Sequence, residues 1–229
     1  MCWLKEFSNA TFVVKILKRL MEIINFLKWR YATKAFDITK EVPSEKLNII
    51  KKAFNLTATS YGLQPIKLVI IKNKELQQEL LQYSMNQKQI VSASHVLVFC
   101  IQTDIDKSFV NEYFKRVHDL RQTSKEILKP FEDFLVDDFE QKSQQEIEEW
   151  ATKQAYLAMG NIMTVCALEQ VDSCPMEGFL SEEYDKVLKL GEHNLKSVLL
   201  LPIGYRSEND RFASMTKVRK QDEDAVLEL

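Results

Sequence analysis

The segment from Gln144 to Leu168 constrains this chain more than any other. Apolar residues recur along it at helical spacing, and from Trp150 to Leu168 they spread over most of the helix circumference. A helix apolar on nearly every side must be enclosed, either in the chain's own core or against a second copy of the chain. A matching signal lies upstream. His95 to Gln102 is almost continuously apolar, as expected of a strand buried on both faces. The pair implies helices packed on a central sheet.

The remaining periodicity fits that frame. Ile66 to Lys72 and Ser197 to Ile203 read as strands, and Ser44 to about Leu56 reads as a helix capped by Ser44. Lys74 to Tyr83 and Lys107 to Lys129 read as helices, and Ser181 to Leu190 as another, with Gly191 as its C-cap. Pro130 to Glu140 is an acidic stretch carrying Phe131, Phe134 and Phe139, expected as a loop on its own subunit or a lid over a site. Helices and strands do not alternate regularly, so the class is α+β and not a doubly wound fold. No repeat or Pro/Gly/Ser linker divides the chain, which reads as one domain over 21–229 behind an extension, Met1–Leu20.

Bulk chemistry excludes several functions. A formal net charge of −2 gives no cation excess for nucleic acid or an acidic membrane. Cys2, Cys100, Cys166 and Cys174 show no CxxC spacing, and three scattered histidines offer no zinc set, so no metal is expected. Cys100 and Cys166 lie in apolar runs and read as buried reduced thiols, consistent with a cytoplasmic location. The apolar run within Met1–Leu20 is interrupted by Lys15 and is too short to span a bilayer.

The five glycines form neither GxGxxG nor GxxxxGK[ST], so a bound phosphate would depend on side-chain cations. Arg30 and Lys34 near one end and Lys217 and Arg219 near the other are candidates. Pro175-Met176-Glu177-Gly178-Phe179 is a Pro-to-Gly turn that presents consecutive backbone amides to an electron-rich ring edge or an anion. His95 opens the buried strand and reads as a hydrogen-bonded structural histidine.

Taken in order, these blocks resemble the FMN-dependent nitroreductase family, most closely its oxygen-insensitive NAD(P)H nitroreductase and dihydropteridine reductase branch. The carrying residues are Lys28-Trp29-Arg30-Tyr31-Ala32-Thr33-Lys34-Ala35-Phe36-Asp37, Gln64-Pro65, Ser92 to Cys100, Trp150 to Leu157, Pro175 to Phe179, Leu201 to Tyr205 and Lys217-Val218-Arg219. The resemblance implies a mixed, mainly antiparallel sheet wrapped by helices. It also implies an intertwined homodimer whose C-terminal extension reaches the partner, with FMN as cofactor and NAD(P)H as co-substrate.

The resemblance further implies residue roles. Arg30, Lys217 and Arg219 match positions that hold the FMN phosphate, and Lys34 matches the cation facing the N1/C2=O edge. Asn86 matches a residue bonding the pyrimidine edge, and Gln89 stands where relatives carry a second lysine. The amides of Glu177 and Gly178, in the turn with Pro175 and Met176, match donors to N5 and O4. Gln154 matches a position near the dimethylbenzene side. Ala58, Thr59, Ser60 and Gly62 match a loop lent by the second subunit, with Thr59 for Ser and Gly62 for Asn. Tyr31 and Ala32 replace His and Ser, leaving mainly backbone contacts. No side chain is expected to be catalytic, because the flavin carries the chemistry.

The implied reaction is ping-pong hydride transfer from NAD(P)H through flavin N5 to a nitroaromatic, quinone, pteridine or similar acceptor. Rival readings are a specialised flavin enzyme, of reductive dehalogenase or flavin-destroying type, and a flavin-binding protein with little turnover. Met21-Glu22-Ile23-Ile24 resembles the family's own N-terminus. Met1–Leu20 is therefore expected to be either an amphipathic extension or the product of an upstream start, with the second preferred.

Overall fold

The computed structural model describes residues 23–229; the extension Met1–Leu20 lies outside them. Four strands, β1 (Ile66–Ile71), β2 (His95–Gln102), β3 (Asp172–Ser173) and β4 (Leu195–Gly204), form a sheet of order β1-β2-β4-β3. All three strand pairings are antiparallel; the parallel element is the bridge Ala32↔Ser173. Strand β2 is central, and every residue from His95 to Ile101 is buried. That burial accounts for its unbroken apolar run.

Period-2 alternation sorts the strands into two cores. Leu97, Phe99 and Ile101 of β2, with Leu199, Leu201 and Ile203 of β4, face one side. There they meet Ala151, Ala155, Ala158 and Ile162 of helix α7 (Gln144–Leu168) and Ile50 of α2 (Ser44–Asn55). Val96, Val98, Cys100 and Leu200 face the other side, against Cys174, Met176 and Tyr184. Small residues on α7 let the helix lie close to the sheet. Its N-terminus closes in a capping box, in which Ser143 accepts the Glu146 amide and Glu146 accepts the Ser143 amide.

The other helices are α1, running through 23–29, α3 (Lys74–Leu80), α4 (Gln89–Ser92), α5 (Lys107–Arg121), α6 (Lys125–Glu140), α8 (Ser181–Val187) and α9 (Asp222–Ala225). Three sequence expectations need correction. Lys107–Lys129 is not one helix: Gln122 takes a left-handed conformation, φ 57°, and breaks it. The acidic stretch Pro130–Glu140 is no loop, because α6 continues through Pro130. A proline in a helix interior costs roughly 3 kcal/mol, but Leu135, Val136 and Phe139 on that helix are buried and outweigh it. Finally, the caps differ. Pro43 occupies the N-cap of α2 with no side-chain bond, and Gly191 lies in a 3₁₀ turn after α8, where Lys189 and Asn194 take the left-handed positions.

Cys100, Cys166 and Cys174 are buried and unpaired, and burial pushes the Cys100 and Cys166 thiols up to about 12. No helix among the described residues is long and apolar enough to cross a membrane.

Candidate functional site

The stretch from Arg30 to Ala35 runs along the β3 edge of the sheet, where Thr33 donates its amide to the Ser173 carbonyl at 3.2 Å. Its conformation is set by a residue the sequence did not flag. Asp210 is 4% exposed and its Oδ2 accepts the Lys34 amide at 2.8 Å, the Ala35 amide at 3.1 Å and the Tyr31 hydroxyl at 3.0 Å. Burial opposes the charge of Asp210, yet the amides of Lys34, Phe212 and Ala35 and the Tyr31 hydroxyl hold its carboxyl below the ordinary range. Burial, reinforced by Asp210, pushes the Tyr31 phenol up to about 12.

A second unflagged pair braces the same segment. Arg206 Nε donates to Oδ1 of buried Asp172 at 2.8 Å, and the guanidinium lies 4.2 Å from the Trp29 ring centre and 4.7 Å from that of Tyr31. Nothing in Arg206-Ser207-Glu208-Asn209-Asp210 distinguishes these residues from an ordinary polar loop, so sequence reasoning had no signal for them.

The predicted cations do converge. Burial and the neighbouring Arg219 both lower the pKa of Arg30; burial, Arg30, Arg219 and Arg206 lower that of Lys217. Mutual repulsion among these cations would be offset by an anion placed among them. Arg30 Nε is buried and has no hydrogen-bond partner among the described residues. A buried guanidinium donor of this kind fits an anionic acceptor such as a phosphate. Lys217 Nζ meanwhile donates to the Lys28 carbonyl, joining the tail to the end of α1.

The turn from Pro175 to Phe179 is pinned at its start. Cys174 donates to the Pro202 carbonyl, and Met176 exchanges both backbone bonds with Leu200 at 2.9 and 3.0 Å. Phe179 donates to the Glu177 carbonyl. Among the described residues, no acceptor takes the amides of Glu177 or Gly178, the two donors singled out in the sequence. The Glu177 carboxylate accepts the Tyr156 hydroxyl of α7 at 2.9 Å. Lys34 reaches the same place, its Nζ lying 3.5 Å from Cys174 Sγ.

Other predicted residues are placed as follows. Gln89 is buried at the start of α4 with Nε2 toward Cys174 Sγ at 3.9 Å, whereas the adjoining Lys88 is exposed. Asn86 is exposed in a left-handed conformation, φ 53°. Gln154 has both polar ends engaged within its own chain: Oε1 accepts the Ser60 amide at 2.8 Å and Nε2 donates to the Trp150 carbonyl. The Ala58–Gly62 loop therefore rests on its own α7, with Thr59 Oγ1 accepting the Gln64 amide. Phe139 is buried against Trp150, while Phe131 and Phe134 are exposed and stack at 6.2 Å. His95 Nδ1 lies 2.9 Å from the Ser94 hydroxyl, in the sheet and outside this cluster.

Relatives carry the same architecture. YdfN of Bacillus subtilis, provisionally named a nitroreductase, superposes with a TM-score of 0.82 at 21% identity over 92% of this chain and 100% of its own. A protein of Exiguobacterium sibiricum, provisionally named a nitroreductase and solved in complex with FMN, gives 0.77 at 18% identity, over 91% and 96% of the two chains. In sequence, YfkO of Bacillus subtilis, provisionally named an NAD(P)H nitroreductase, is 31% identical over 216 residues, 90% of this chain and 96% of its own. The family model described as "Nitroreductase family" matches residues 27–205, which span the Arg30–Ala35 segment, the sheet, α7 and the 175–179 turn. Sequence, fold and the convergence of these segments agree: the chain belongs to the nitroreductase family.

Proposed function

We propose that this chain is an FMN-dependent oxidoreductase that uses NAD(P)H to reduce a nitroaromatic, quinone, pteridine or similar acceptor, acting as a homodimer with ping-pong kinetics. The observation that carries the reading is the buried Arg30 Nε, without a partner among the described residues, within the Arg30, Lys217, Arg219 and Arg206 group. The unclaimed Glu177 and Gly178 amides beside Lys34 support it. When bound, FMN supplies reversible hydride acceptance at a planar ring, chemistry that no amino-acid side chain provides.

The chain's own residues bind and orient. Arg30, Lys217 and Arg219 hold the phosphate through charge-assisted bonds. Lys34 brings a cation to the electron-accepting edge, with Asn86 and Gln89 offering polar groups beside it. The turn begun by Pro175 and Met176 aims the amides of Glu177 and Gly178, while Tyr156 keeps the Glu177 carboxylate to one side. Tyr31 and Ala32 contribute backbone. Thr59, Ser60 and Gly62, with Ala58, serve the second subunit's site, and Gln154 fixes their loop through Ser60. The dimer reading rests on α7, which buries Ala151, Ala155, Ala158 and Ile162 yet exposes Tyr156, Leu157 and Gly160 along its other face.

The test is the visible spectrum of the purified protein, with the released chromophore identified by mass, followed by NADH and NADPH oxidation with and without acceptor. A flavin spectrum with acceptor-dependent oxidation is expected. A protein that neither retains nor takes up FMN overturns the reading, and flavin binding without turnover favours a flavin-binding protein.

A further inference from the structure

Within the 175–179 turn the amides of Met176 and Phe179 are engaged, whereas among the described residues those of Glu177 and Gly178 are not. Glycine permits more backbone conformations than any other residue, so amides presented from this turn need restraint beyond the local Phe179-to-Glu177 bond. The structure supplies a clamp. Gln87 Nε2 donates to the Gly178 carbonyl at 2.9 Å across 91 residues of chain. The space beside Gly178 is tight: a Cβ there would lie 3.3 Å from Gln87 Nε2 and 3.3 Å from Met85 Sδ.

The clamp is itself held. Gln87 Oε1 accepts Nε2 of buried Gln89 at 2.9 Å, and Gln89 Nε2 also points to Cys174 Sγ at 3.9 Å. Lys34 Nζ meets the same sulfur at 3.5 Å. A continuous polar chain thus runs from the Gly178 carbonyl through Gln87, Gln89 and Cys174 to Lys34. It joins the turn that offers amides to the side chain that offers charge. Gln89 acts in this chain through Nε2 alone, as a donor to Gln87 Oε1 and toward Cys174 Sγ.

We infer that Gln87 is a positioning residue for the ring-binding amides: by fixing the Gly178–Phe179 peptide it fixes the direction of the Glu177 and Gly178 N–H groups, with Gln89 and Cys174 as its support. This rests on the flavin-site reading above. The clamp holds the amides only where they face the ring, so it discriminates by ring and not by phosphate.

The experiment compares wild type, Gln87→Leu and Gln87→Glu by fluorescence titration of flavin-stripped protein with FMN and with riboflavin, and by the midpoint potential of the bound flavin. Gln87→Glu keeps the length and shape of the side chain but at neutral pH removes the donor. Both variants are expected to lose about tenfold in affinity for FMN and for riboflavin alike, the size of one hydrogen bond. Reduced flavin is expected to lose about tenfold more than oxidised flavin, which lowers a two-electron midpoint by about 30 mV. Unchanged affinities and potential in Gln87→Glu overturn the inference, as does a loss confined to FMN. If Gln87→Leu does not fold, Gln87→Glu decides alone. Failure of the wild type to bind either flavin would instead sink the flavin-site reading, and this inference with it.

Discussion

Asp210 accepts the Lys34 amide at 2.8 Å, joining positions 176 residues apart. The same carboxylate oxygen takes the Ala35 amide and the Tyr31 hydroxyl, and its mate takes the Phe212 amide at 3.0 Å. The chain's two cationic ends are therefore assembled by an acidic residue between them. Asp210 sets the backbone that carries Lys34 and returns the tail toward Lys217 and Arg219.

Replacing Asp210 by Asn should cost about 1–3 kcal/mol at neutral pH, because a charged acceptor serving three amides becomes a neutral one. The folded pKa is depressed below the ordinary 3.8, so this contribution is complete above that value and is lost as pH falls through the lowered one. Urea midpoints of wild type and variant should accordingly differ at pH 7 and converge as the pH drops below about 4. A constant gap across that range would show that charge on Asp210 does not matter.

Arg219→Ala should weaken FMN by roughly tenfold to a hundredfold while changing riboflavin little, since the lost bond goes to phosphate. Equilibrium titration of the flavin-stripped protein with both ligands measures this. An equal loss for the two would move Arg219 away from the phosphate.

Leu157 is 56% exposed on the side of α7 away from the buried Ala151, Ala155, Ala158 and Ile162. Leu157→Asp should leave the core intact but place a charge in the proposed subunit contact, yielding monomer and releasing flavin together. Sedimentation velocity monitored at flavin and protein wavelengths reports both. A variant that stays dimeric and flavin-replete would place the subunit contact elsewhere.

Gly62 has φ +76°, and a Cβ there would lie 2.7 Å from the Tyr113 hydroxyl oxygen. Gly62→Ala should cost more than about 1 kcal/mol through backbone strain and the contact. Thermal unfolding gives the number. Gly62→Ala with Tyr113→Phe should recover part of it, because the clashing atom is then gone.

Much of the fold was legible because burial writes itself into short sequence windows. The unbroken apolar run of β2 and the long apolar helix α7 have the bounds their periodicity implied, His95–Gln102 and Gln144–Leu168. Pro130 misled for the opposite reason. Local propensity ends a helix there, while the burial of Leu135, Val136 and Phe139 against distant partners carries α6 through it. Of the candidate site, the sequence singled out Arg30, Lys34, the Pro175–Gly178 turn, Lys217 and Arg219 by their order along the chain and a family resemblance, not by residue type, since the chain holds 31 Lys and Arg. It could not show Asp210, Arg206, Asp172 or Gln87, polar residues in polar surroundings whose roles are pairings across tens to nearly two hundred residues. Spacing along a chain encodes which face of a helix or strand is apolar. Which carboxylate meets which amide depends on how those faces pack, and only the tertiary structure decided that.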